Sequence, residues 1–137
     1  MTDFEEARDM ILGNATSVGS EDVSLLDSLG RISAEDVIAP FNLPLFENSA
    51  MDGYAVRVAD CNRTAPLPIA DYIPAGGMAI TELIPGSAIK IMTGAPVPQG
   101  CDAIVPLEDA EEAHQEVTVK AVVFPGQHIR RAGEDVK

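Results

Sequence analysis

Three stretches of this sequence place polar residues in patterns that a hydrophobic core does not require. In Asn48-Ser49-Ala50-Met51-Asp52-Gly53-Tyr54, a carboxylate stands on an Asp-Gly turn ahead of an alternating strand. Either Asp52 braces the bend, or it faces a cleft where it can help hold Mg²⁺ through water. Met92-Thr93-Gly94-Ala95-Pro96-Val97-Pro98-Gln99-Gly100 is a Gly/Pro loop following an apolar strand. It has neither the Gly-Lys-Ser/Thr of a Walker loop nor a dinucleotide fingerprint. Its prolines make it a stiff connector or a rigid mount for the Thr93 hydroxyl. In Arg130-Arg131-Ala132-Gly133-Glu134-Asp135, guanidinium forks suit phosphate or another oxyanion and the carboxylates suit a hard cation. The same residues also describe a surface ion-pair cluster.

Other chemistries find no support. His114 and His128 lack a second ligand at metal spacing, and no nucleophile elbow is present. Cys61 has Asp60 beside it, which raises a thiol pKa. Cys61 and Cys101 make neither a disulfide framework nor a metal knuckle, so free thiols and a cytoplasmic setting are expected. The 137 residues carry 9 basic and 22 acidic side chains, a net charge of −13, which argues against a nucleic-acid backbone as partner. No apolar run approaches the roughly 18 residues of a membrane span, and the acidic N-terminus is unlike a signal peptide. Apolar residues make up 46%, too many for a disordered chain.

The elements that must position these groups are mainly strands. Thr2 with Glu5 reads as a capping box, and Phe4, Ala7 and Ile11 repeat at helical spacing up to a stop at Gly13-Asn14. A shorter helical turn is expected over 25–29, ending at Gly30. Pro40 and Pro44 bracket an extended segment. Strands are expected over 54–58, 67–70, 88–92, 103–105 and 117–123, separated by frequent Gly/Pro turns. Strands this short imply a small β-barrel or coiled sheets. Glu108, Asp109, Glu111, Glu112 and Glu116 read as a solvated loop or hairpin edge. The chain stops two residues after Asp135, which reads as cut rather than finished.

In this order the three stretches resemble the N-terminal part of the MoeA family, the molybdopterin molybdenumtransferases related to the gephyrin E domain. The resemblance begins at Leu29-Gly30-Arg31-Ile32-Ser33-Ala34-Glu35-Asp36-Val37 and continues through Pro44–Arg57 and Ile91–Val105. It takes in Glu108 and closes at Ile129–Asp135. The words Ser-Ala-Met-Asp-Gly-Tyr-Ala and Met-Thr-Gly-Ala-Pro-Val-Pro are specific as a pair. The resemblance implies a mainly β (α+β) fold, with an elongated, partly helical domain and a β-barrel-like or coiled-sheet domain inserted into it. Residues 1–20, 39–46 and 132–137 are assigned to the elongated domain, and 21–38 and 47–131 to the inserted one. The family's pterin-binding third domain and its fourth domain have no counterpart here.

The implied activity is insertion of molybdate into adenylylated molybdopterin with release of AMP, assisted by Mg²⁺, in a homodimer. Carried over by position, Asp52, Thr93, Arg130 and Asp135 become the site residues, with Asp52 and Asp135 candidates for the metal. The chain alone is expected to be inactive. A rival reading is a non-catalytic acidic β-domain acting as a binding or assembly module, and a third is a free-standing Mg²⁺ or oxyanion binder.

Overall fold

The computed structural model describes residues 2–61, 65–78 and 81–136. The chain divides into two compact units, Met1–Ile38 and Ala39–Lys137.

In the first unit, helix α1 spans Phe4–Asn14. Its cap is Asp3 rather than Thr2: the Asp3 carboxylate accepts the Glu6 amide at 2.9 Å. A charged acceptor satisfies this open amide and also complements the positive end of the helix dipole. At the other end, Asn14 donates its side-chain amide to the Met10 carbonyl at 2.8 Å. Phe4, Met10, Ile11 and Leu12 are all exposed, and no helix residue is buried. The turn expected over 25–29 is a single 3-10 turn, Leu25–Asp27. Among the described residues, no helix is long and apolar enough to cross a membrane.

The second unit is built on strands: β1 (Asn48–Ser49), β2 (Gly53–Val56), β3 (Leu67–Ile73), β4 (Ala88–Ile91), β5 (Ala103–Pro106), β6 (Ala110–Ala113), β7 (Glu116–Val119) and β8 (Ile129–Arg130). A one-turn helix, α2 (Val58–Cys61), follows β2. Six strands form one sheet in the order β5-β2-β4-β3-β7-β6, and β1 pairs with β8 in a second. The larger sheet is antiparallel except between β3 and β4. That parallel pair needs a long crossover, supplied by residues 74–87 and anchored by the buried Leu83. The sheet curls into a half-barrel: Glu112 on edge strand β6 accepts from Tyr54 on β2 and pairs with Lys90 on β4 at 2.6 Å.

Strand periodicity explains the core. β2, β4 and β5 are buried on both faces and divide their side chains by parity. Tyr54, Val56, Ala88, Ala103 and Val105 join Leu67 and Val117 inside the curl, while Ala55, Ile89, Ile91 and Ile104 pack with Ile73, Leu83 and Ala95 behind it. On β3, Leu67 and Ile69 serve the first cluster and Ile73 the second, although all three positions are odd. A register shift between Ile69 and Asp71 turns the strand over.

Several element boundaries differ from expectation. β2 stops at Val56 because Asp102 accepts the Val58 amide at 2.6 Å and starts α2. β7 stops at Val119 because its partner β6 begins at Ala110, the residue opposite. Within the acidic run, Glu111 and Glu112 lie on edge strand β6 and Glu116 opens β7, while Glu108 and Asp109 belong to a 3-10 turn that precedes the hairpin. Within this unit, Leu43 and Pro44 exchange backbone hydrogen bonds of 2.8–3.1 Å with Gly133, Asp135 and Val136.

Candidate functional site

Antiparallel register brings Asp52 and Thr93 together. Gly53 opens β2 opposite Ile91, the last residue of β4, so the residues just before 53 and just after 91 emerge side by side. Residues 92–95 form a tight turn, with the Ala95 amide donating to the Met92 carbonyl at 3.0 Å. Thr93 and Gly94 are its central residues. Gly94 at φ +79° supplies the left-handed conformation that a type II turn needs at its third position. Thr93 then donates both its amide (2.7 Å) and its hydroxyl (2.6 Å) to Asp52 Oδ1. These bonds, the hydroxyl's first, hold the Asp52 carboxyl below its ordinary value, so the group is ionised at neutral pH. Both side chains are exposed to solvent.

The glycine after Asp52 has a cause that the Asp-Gly signal does not convey. A Cβ on Gly53 would lie 2.0 Å from the Val105 carbonyl oxygen, so close approach of β2 and β5 requires glycine there.

Arg130 and Asp135 form a second pair. Arg130 Nη2 donates to both carboxylate oxygens of Asp135 at 2.6 Å, and Glu134 lies 3.5 Å from Arg130 Nε. Asp135 raises the guanidinium pKa further. Asp135 is fixed from behind, its amide donating to the Leu43 carbonyl at 2.9 Å. Register places Arg130 opposite Asn48, four residues before Asp52. Segment 47–52 therefore carries Asp52 at its end and runs between the chain segments of the two pairs, with residues 94–97 hydrogen-bonded along one side and 128–130 along the other. Among the described residues, no hydrogen bond or ion pair joins one pair to the other. Sequence reasoning passed over Glu47, which pairs with Arg131 at 3.1 Å from 84 positions away and leaves no local signal.

The donor set suits Mg²⁺ at one position. Asp52 Oδ1 is taken by Thr93, whereas Oδ2 has no hydrogen bond among the described residues. Mg²⁺ is ordinarily held by one or two carboxylates together with water and substrate phosphate, and Asp52 meets that requirement. Asp135 spends both oxygens on Arg130. Among the described residues, no three His, Cys, Asp or Glu side chains converge on a metal position.

The remaining candidates behave as structural groups. Both thiols are pushed up to about 11, chiefly by burial, so neither is a ready nucleophile. Asp60 contributes to the shift at Cys61, after burial and Asp102. A hollow of about 440 Å³ lies against β3, lined by Asp71, Tyr72, Lys90 and Glu112 among others, and contains neither pair.

Comparison with known proteins gives this chain a family. The model described as the MoeA N-terminal region (domain I and II) matches residues 2–137. Molybdopterin molybdenumtransferase 2 of Mycobacterium tuberculosis (strain H37Rv) is 48% identical over 119 residues, covering 83% of this chain and 29% of that protein. The molybdopterin molybdenumtransferase of Haemophilus influenzae is 43% identical over 119 residues, covering 86% and 30%. A crystal structure of the molybdopterin biosynthesis MoeA protein from Pyrococcus horikoshii OT3 superimposes with a TM-score of 0.76 at 37% identity, covering 85% of this chain and 32% of that one. The chain thus spans about 30% of the length of the curated relatives it matches. On a match running from residue 2 to residue 137, the chain belongs to the MoeA family, as its N-terminal region.

Proposed function

We propose that this chain forms one wall of a molybdopterin molybdenumtransferase active site, where molybdate enters adenylylated molybdopterin and AMP is released. The observation that carries this reading is the solvent-facing Asp52 carboxylate, aimed by two hydrogen bonds from Thr93. A core does not need such a pair, whereas chemistry on phosphate can use a fixed carboxylate to hold a metal ion.

Each residue has a role that its surroundings support. Asp52 stays ionised and exposed, with Oδ2 free of hydrogen bonds among the described residues, while Thr93 holds Oδ1. Arg130 carries a permanent positive charge beside Asp52's segment, suited to steadying phosphate or molybdate oxygens. Asp135 holds that guanidinium in place until an anionic ligand competes for it. Mg²⁺, when bound, would neutralise charge on the phosphate being cleaved. The work is assigned to the cytoplasm and to a homodimer. For the dimer, the support is α1, whose apolar residues find no cover within their own unit.

The test joins this chain in frame to the part of the Haemophilus influenzae relative that it does not match. Molybdate-dependent AMP release should appear in the joined protein and be absent from the chain alone. AMP release by the isolated chain, or an undiminished rate in the joined protein carrying Asp52→Asn, would refute the proposal.

A further inference from the structure

We propose that Ser49 is the positioning residue of this site, a buried hydroxyl that sets the Asp52 turn while its backbone holds the Thr93 turn. The inference rests on the functional reading of Asp52, but it is tested without turnover, so the two can fail separately.

Ser49 has no solvent exposure. Its amide donates to the Ala95 carbonyl at 3.0 Å, and its carbonyl accepts the Gly94 amide at 2.8 Å. The turn that presents Thr93 is therefore fastened to Ser49 on its far side. The hydroxyl works in the other direction, donating to the Met51 carbonyl and accepting the Met51 amide at 3.3 Å. Met51 immediately precedes Asp52. One residue thus fixes both partners of the Asp52–Thr93 bond, and register with Ile129 ties it to the strand carrying Arg130.

A buried hydroxyl is costly unless it is hydrogen-bonded. This one directs both of its bonds to a single residue of the turn, and alanine would leave the Met51 amide and carbonyl without them. The turn would then relax at the residue before Asp52, and the carboxylate would lose its alignment with the Thr93 donors. Ser87 offers a matched control. It is a buried hydroxyl bonded to the Ile84 carbonyl at 2.8 Å and belongs to a turn that does not touch Asp52.

The experiment is amide hydrogen exchange in the labelled chain, read at Thr93, whose amide donates to Asp52. Ser49→Ala should lose protection at the Thr93 amide, and Ser87→Ala should leave it in place. An unchanged Thr93 exchange rate in folded Ser49→Ala would overturn the proposal, as would equal acceleration in both variants. Should Ser49→Ala not fold, the unsubstituted chain decides through its Ser49 hydroxyl proton. Slow exchange with a cross-peak to the Met51 amide supports the assignment, and exchange at the rate of a free hydroxyl contradicts it.

Discussion

Asp52 is an exposed carboxylate whose titration is set by one neighbour. Because its folded pKa lies below the unfolded value near 3.8, the Thr93 bonds stabilise the fold above that pH. The contribution disappears as pH falls through the folded value. Thr93→Val removes the larger cause, the hydroxyl, and keeps the amide. The variant should therefore melt at lower urea concentration than the parent at pH 7, and the gap should close in acid. A gap that persists unchanged below the Asp52 midpoint would show that the loss comes from packing rather than from this bond. At this scale the sequence was readable in part. Asp52 and Thr93 are conspicuous because their flanking glycines answer backbone demands, a close approach at Gly53 and a left-handed turn at Gly94. Ser49 and Glu47 are silent, since what matters about each is a partner brought near by folding.

Among the elements, longer strands with apolar alternation can be read from the chain and two-residue strands cannot. β1 and β8 exist only because segment 47–52 lies between two others, a long-range fact with no local propensity behind it. The β6–β7 hairpin shows the converse, a turn that local chemistry disfavours. His114 and Gln115 hold φ of +53° and +62° without being glycine or asparagine. Ile69 donates its amide to the Gln115 carbonyl at 2.8 Å, so β3 helps hold the turn. Replacing His114-Gln115 with Asn-Gly relieves the strain and leaves that backbone bond available. The substitution should stabilise the chain by about 1 kcal/mol in urea denaturation, consistent with the usual cost of a left-handed residue. A loss of stability would mean that the two side chains contribute contacts outweighing the strain.

For the whole molecule, mainly β architecture follows from frequent turns and short apolar runs, and the curl closes through Glu112 reaching Tyr54 and Lys90. The face of α1 is the unfinished part, with Phe4 76% and Ile11 71% exposed. Sedimentation at micromolar concentration should show a dimer in the joined protein, weakened by Phe4→Ser with Ile11→Ser. A monomer at every concentration would remove the homodimer from the proposal. Arg130 and Arg131 stand beside the acid-bearing segment and are each held by carboxylates, Arg130 by Asp135 and Glu134 and Arg131 by Glu47. The most direct measurement is the Mg²⁺ dependence of AMP release by the joined protein with Asp52 intact and with Asp52→Asn. A rise in half-saturating Mg²⁺ of roughly 10-fold or more, together with a lower rate, is the predicted result. Identical Mg²⁺ curves and identical rates would contradict the assignment of Asp52.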